Sequence, residues 1–251
     1  MISFIGAGPG AADLITVRGK ALLEQAGMIV YAGSLVNPAL LEYAPPSCRI
    51  YNSASMTLEE VIAVMRQGVN EGRSVVRLHT GDPSIYGAIR EQMDILTSKG
   101  IPFEVVPGVS SFCGAAAALG AEYTLPGVSQ TVILTRMAGR TPVPQGQDIR
   151  SLAAHGASMA IFLSAGMLEA LQAELLAGGY RSETPAALVY KATWPDERVV
   201  RGTVGTLPQM GKDSGVQKTA LILVGDFLGD EYERSLLYHP AFAHEFRSAS
   251  E

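Results

Sequence analysis

The chain has 251 residues, 47% apolar and 17% charged, with a net charge of −5; that is length for one large domain or two compact halves, and the acidic balance excludes a broad basic footprint for nucleic acid. Cys48 and Cys113 stand alone, with no CxxC pair and no histidine at metal-ligand spacing, so no metal is expected and both thiols read as buried small hydrophobes. No stretch approaches the roughly 20 uninterrupted apolar residues of a membrane span, and Met1 to Ile5 has no basic leader and is too short for an export signal, so a cytoplasmic enzyme is expected.

Short β-branched runs alternate with helical-period segments, which predicts an α/β protein with parallel sheets and crossover helices. In the first half, strands are expected at Met1 to Ile5, Met28 to Tyr31, Arg49 to Tyr51, Ser74 to Thr80 and Phe103 to Val106. Between them Leu58, Val61, Ile62, Met65 and Val69 fall on one helical stripe. Asp82 and Pro83 read as the N-cap and first residue of a helix, and Ser110 or Ser111 as the cap of an Ala-rich helix from Phe112 to Leu119.

Pro126 and Gly127 break the pattern within Tyr123 to Ser129, where the domain junction is placed. The expected division is an N-terminal α/β domain over 1–125, a C-terminal α/β domain over 129–228 and a tail over 229–251. Strands of the second domain are expected at Thr131 to Thr135, Met159 to Leu163, Ala186 to Tyr190, Val199 to Val204 and Ala220 to Val224. Lys191 to Arg198 is too short for a crossover helix, so the strands flanking it should be antiparallel and the second sheet mixed. The charged, aromatic tail has no clear period and is expected to pack loosely or to contribute to a partner contact.

The first strand runs into Gly6-Ala7-Gly8-Pro9-Gly10-Ala11, which formally satisfies a dinucleotide-binding G-x-G-x-x-A. Two omissions oppose a nicotinamide reading. The second strand ends Val30-Tyr31-Ala32-Gly33 with no acid to hold a ribose, and Pro9 removes a backbone donor. Two more small-residue turns follow strands, Thr80-Gly81-Asp82-Pro83 with Tyr86 and Gly87, and Pro107-Gly108-Val109-Ser110-Ser111. Ligands of open α/β sheets sit beyond the carboxyl ends of strands, so the three turns describe one crevice. Asp82 can accept hydrogen bonds from a ligand or serve as a structural cap. Ser110 lacks the second glycine of a nucleophile elbow, which argues against hydrolase chemistry. His79, just ahead of the second turn, is a candidate base or substrate contact, or a hydrogen-bonded core histidine.

The combination of Gly6 to Gly10 with Asp13-Leu14-Ile15-Thr16, Gly81-Asp82-Pro83 with Tyr86, and Pro107-Gly108-Val109-Ser110 resembles the tetrapyrrole (corrin/porphyrin) methylases, from Ile2 to about Gly225. Within that family, Ile133 to Pro144 and Tyr190 to Glu197 look like the precorrin-4 and cobalt-precorrin-4 carbon-11 methyltransferases. The resemblance implies a two-domain homodimer that binds S-adenosyl-L-methionine in the cleft between domains, releases S-adenosyl-L-homocysteine and takes a small tetrapyrrole as substrate. By match of motif it places Pro9, Gly81, Asp82, Pro83, Tyr86, Ser110 and Ser111 on the cofactor from the first domain. From the second it places Leu163, Ala192, Thr219 and Ala220 there. Many relatives carry Met near Leu163 and Gly at Ala192; both replacements keep an apolar wall.

In-line methyl transfer to carbon needs no covalent nucleophile, and alignment can supply on the order of 7 to 11 kcal/mol. That suits a site of turns and small side chains with no triad or metal cluster, and leaves the base unassigned beyond the weak candidates His79 and Asp82. A polycarboxylate substrate needs local cations, for which Arg136, Arg140 and Lys191 in the two specific stretches are the candidates, against a solvated surface role for each. Trp194 and Tyr86 either flank ligands or fill the domain interface. The rival readings are another tetrapyrrole methylase acting on uroporphyrinogen III or precorrin-2, a relative that methylates ribosomal RNA or diphthine, an NAD-dependent oxidoreductase, and a non-catalytic tetrapyrrole carrier.

Overall fold

A computed structural model describes residues 1–243 and 245–248, apart from the side chains of Ser34 and Tyr238. The chain divides into two units, Met1–Ala115 with Lys191–Glu197, and Ala116–Tyr190 with Arg198–Glu251.

The first unit carries β1 (Ile2–Gly6), α1 (Val17–Glu24), β2 (Met28–Tyr31), β3 (Arg49–Asn52), α2 (Leu58–Asn70), β4 (Val75–His79), α3 (Ile89–Ser98), β5 (Phe103–Val106) and the start of α4 (Ser111–Leu119). Its sheet has the order β3-β2-β4-β1-β5 and every pairing is parallel. β1 and β4 are buried along their whole length, as continuous apolar runs are when helices cover both faces of a parallel sheet. One face presents Ile2, Phe4, Met28, Val30 and Val75 to Val61, Ile62 and Met65 of α2 and to Ile89 and Leu96 of α3. The other presents Ile5, Ile29, Val76, Leu78 and Val106 to Leu23 of α1 and to Leu40. The helical stripe expected from Val61, Ile62 and Met65 is thus the buried face of α2, which opens on a reciprocal Thr57–Glu60 capping box.

The second unit carries the end of α4, then β6 (Val132–Arg136), α5 (Ile149–Ala153), β7 (Ser158–Phe162), α6 (Leu168–Ala177), β8 (Pro185–Tyr190), β9 (Arg198–Thr203), α7 (Leu207–Ser214) and β10 (Ala220–Val224). The sheet order is β6-β7-β10-β8-β9. β6 and β7 are parallel and the other pairs antiparallel, including β8 with β9, as their short connection requires. Met159, Ile161, Leu171, Leu188, Leu207 and Ile222 form its core. Beyond Gly229 the described residues include a short 3-10 helix, Leu236–Tyr238, in which Leu236 is exposed. Among the described residues no helix is long and apolar enough to cross a membrane.

The structure departs from the sequence-based expectations at two places. Cys113 is exposed and Cys48 half-buried. In α4 the buried stripe runs through Ala115 and Leu119, and Cys113 lies off it. Asp82 and Pro83 open a turn rather than a helix: α3 starts only at Ile89, because Tyr86 (φ 55°) and Ala88 (φ 48°) take left-handed conformations that a helix cannot continue through.

Candidate functional site

β1 sits between β4 and β5, and the chain leaves β1 toward β2 on one side but leaves β4 toward β5 on the other. Connections that diverge from adjacent strands open a crevice at the carboxyl edge, the ordinary ligand position of such sheets. There the Ala7 N–H donates to His79 O (2.7 Å), and Gly8 and Gly81 exchange backbone hydrogen bonds of 3.2 and 2.9 Å. A Cβ at Gly6 would stand 2.5 Å from both Gly108 Cα and Gly81 O, and one at Gly108 only 2.2 Å from Gly81 O. Three turns therefore meet backbone to backbone at a place that admits no side chain.

Asp82 ties two of these turns together. Its Oδ2 accepts from the Gly108 N–H at 2.8 Å, and its Oδ1 accepts from the Ser84 N–H at 2.8 Å and from the Ser84 hydroxyl. Burial alone would raise its pKa, but the hydrogen bonds from Ser84 and Gly108 prevail and hold the carboxyl below its usual range. Ser110 is buried and its carbonyl accepts from Cys113 and Gly114, so it stands at the N-cap position, one residue before α4 opens at Ser111. A Cβ on Gly114 would lie 2.7 Å from Pro9 Cβ, so the first turn of that helix rests on the glycine turn and brings Pro9, Ser110 and Ser111 together.

The segment 191–197 packs on the same glycine turn. The Ala11 N–H donates to Thr193 Oγ1 at 2.9 Å, and a Cβ on Gly10 would fall 2.1 Å from Trp194 Cδ1. Gly10 is thus explained by Trp194, a reason that the local glycine pattern could not disclose. Ala192 is buried beside them. Lys191 Nζ meets Asp196 Oδ2 at 2.6 Å and lies 5.2 Å from the Trp194 ring centroid. The helix after β1 does not begin at the glycine turn: α1 starts at Val17, where Thr16 Oγ1 accepts from the Gly19 N–H. The turn therefore leads into a three-residue 3-10 helix, Ala12–Leu14, and not into the α-helix N-terminus on which a dinucleotide pyrophosphate rests, a further point against the nicotinamide reading.

His79 is 3% exposed, stacks on Phe4 with ring centroids 6.1 Å apart, and has no hydrogen-bond partner at Nε2 among the described residues. Desolvation, reinforced by the Arg77 charge, pulls its pKa from 6.5 to about 3. At neutral pH it is uncharged and a poor proton acceptor. Unfolded, the imidazole protonates near pH 6.5; folded, not until about 3, so stability falls with pH across that window. The slope attributable to His79 approaches about 1.4 kcal/mol per pH unit. Urea unfolding between pH 6.5 and 5 should show that slope in the parent and its loss in His79→Leu; equal slopes would contradict the burial argument.

In the second unit, Leu163 follows β7 with φ 55° and 65% exposure, and Thr219 precedes Ala220 with φ 59°. The register pairs Ala220 with Tyr190 and Ile222 with Ile161, so these positions share one end of the sheet. Arg136 ends β6 opposite Phe162. Its guanidinium donates to the carbonyls of Met137 (3.1 Å), Thr141 (3.2 Å) and Pro142 (2.8 Å), so it shapes its own loop. Arg140 is exposed within that loop. Positive φ in non-glycine residues costs about 1 to 3 kcal/mol each and concentrates at functional sites. Among the described residues it occurs at Tyr86, Ala88, Leu163, Lys191, Thr193 and Thr219, four of which the sequence singles out. Gly6 and Gly108 lie in turns that the sequence places at the crevice and Thr193 in the stretch from Tyr190 to Glu197, but neither the contact between the two glycines nor the bond from Ala11 to Thr193 is visible in the local sequence.

The sequence pattern of the tetrapyrrole (corrin/porphyrin) methylases matches residues 1–208. A cobalt-precorrin-4 C(11)-methyltransferase of Methanocaldococcus jannaschii is 54% identical over 249 residues, 99% of this chain and 96% of its own length. A precorrin-4 C(11)-methyltransferase of Mycobacterium tuberculosis is 46% identical over 242 residues, 96% of each chain. The X-ray structure of the cobalamin biosynthetic enzyme CbiF, a cobalt-precorrin-4 methyltransferase, superposes with a TM-score of 0.89 at 47% identity, covering 91% of this chain and 96% of that one.

Proposed function

Because this chain belongs to the tetrapyrrole (corrin/porphyrin) methylases, we propose that it methylates carbon 11 of precorrin-4, or of its cobalt form, in cobalamin biosynthesis. The observation that carries this reading is likeness over nearly the whole chain to enzymes named for that reaction with and without cobalt. Tetrapyrrole methylases are dependent on S-adenosyl-L-methionine, which when bound supplies an electrophilic methyl group on a sulfonium. The residues of the first unit fit such a donor: the turns at Gly81 and Gly108 are packed backbone to backbone, and Pro9, Ser110, Ser111 and Ala192 keep the surroundings small.

Gly81, Pro83, Tyr86, Ser110 and Ser111 are the proposed contacts there, with Asp82 acting chiefly by holding the Gly81 and Gly108 turns in place. In the second unit Leu163, Thr219 and Ala220 are the candidate contacts. The chain's own contribution is alignment, which can lower a barrier by roughly 7 to 11 kcal/mol. Arg140, an exposed residue, is the first candidate for a substrate carboxylate. Arg136 and Lys191 can serve only alongside the loop carbonyls and Asp196 that already engage them. A homodimer working in the cytoplasm is part of this proposal.

Calorimetry with S-adenosyl-L-homocysteine and with NADH separates the rivals. Binding of the former alone is expected; binding of NADH alone would favour an oxidoreductase, and binding of neither would leave a tetrapyrrole carrier ahead.

A further inference from the structure

The run Val75-Val76-Arg77-Leu78-His79 places an arginine in the middle of a strand that is buried from end to end. Arg77 is 6% exposed, and burial brings its pKa down to about 10. A guanidinium so enclosed must be satisfied by hydrogen bonds. Nη1 donates to Val30 O and Nε to Gln92 Oε1, both at 3.1 Å. Gln92, itself 5% exposed, turns its amide nitrogen back to Ala88 O at 3.1 Å. Ala88 is the left-handed residue at which the turn carrying Pro83 and Tyr86 passes into α3. That turn is already tight, since a Cβ on Gly87 would meet Pro83 O at 2.1 Å.

We propose that Arg77 and Gln92 are positioning residues, a relay that anchors Ala88 to the sheet and so sets the turn from Pro83 to Gly87 in its ligand-binding shape. The relay needs both ends of the Gln92 amide: the oxygen satisfies the arginine, and the nitrogen restrains a backbone conformation that alanine seldom adopts unaided. Its role in donor binding rests on the function proposed above, whereas its hold on the turn does not.

Gln92→Glu separates the two ends, because it keeps an acceptor for Arg77 and removes the donor to Ala88. In the full-length protein without ligand, this variant should retain its melting temperature to within a few degrees, while amide exchange over residues 84–88 accelerates about 10-fold. Its Kd for S-adenosyl-L-homocysteine should rise about 10-fold and the KM for the tetrapyrrole stay unchanged, a split that general loss of structure would not produce. Gln92→Met, which removes both ends, should accelerate the same amides and also lower the melting temperature. Unchanged exchange over 84–88 in both variants would overturn the proposal, as would unchanged S-adenosyl-L-homocysteine affinity in Gln92→Glu. Failure of the parent protein to bind S-adenosyl-L-homocysteine would sink the functional reading, leaving the exchange comparison to judge the relay.

Discussion

Gly108→Ala should lower the stability of the chain by at least about 3 kcal/mol, at the upper end of overpacking costs, and weaken S-adenosyl-L-homocysteine binding 100-fold or more. The new methyl would stand 2.2 Å from Gly81 O and 2.7 Å from Gly6 Cα. Those neighbours are backbone, not the free end of a flexible side chain, so relief requires parting the turns after β1, β4 and β5. Parting them also breaks the Gly108 N–H bond to Asp82 and the Gly8–Gly81 pair. For a chain of this size the melting temperature should drop by roughly 6 to 12 °C. Gly139→Ala, whose Cβ would meet Met167 only at 3.6 Å, is the control and should change little. A Gly108→Ala protein that melts and binds like the parent would mean that the three turns are not in contact.

Asp82→Asn should weaken S-adenosyl-L-homocysteine binding 10- to 100-fold. The carboxylate now accepts from Gly108 and Ser84 N–H groups on its two oxygens; an amide presents one oxygen and one N–H₂, so either orientation sets donor against donor. Hydrogen bonds to a charged group are worth about 1.5 to 3 kcal/mol, which gives that range. Calorimetry against the parent measures it. A carboxylate acting as base would instead lower kcat with binding intact, and that result would move Asp82 from positioning to proton transfer. Because the folded pKa is lowered, the stability Asp82 contributes is present above its ordinary value of 3.8 and is lost as pH falls through the lower folded value.

Much of the fold was legible because its signals are local. Met28 to Tyr31, Phe103 to Val106 and Ala220 to Val224 form strands with the expected bounds, each a short run rich in β-branched and other apolar residues between turns. The antiparallel pair β8 and β9 followed from the length of its connection alone. Less legible was whatever depends on distant chain. Asp-Pro ahead of an apolar period reads as a helix start, and neither Tyr86 nor Ala88 advertises the left-handed backbone that delays α3. Gly10 looked like a ligand glycine, while its immediate neighbour is Trp194, far along the chain. Arg136 looked available to a substrate, while its donors close the loop that follows it. Arg77 went unremarked in the sequence, because its partner Gln92 lies on a helix beyond the turn and only the fold brings the two together.

The measurement that bears most directly on the account is incubation of the chain with enzymatically prepared precorrin-4, and separately its cobalt form, together with methyl-labelled S-adenosyl-L-methionine, followed by carbon NMR of the product. Label is expected on carbon 11 with at least one of the two substrates. Label on carbon 17 or 20, or no transfer to either, would contradict the proposed function.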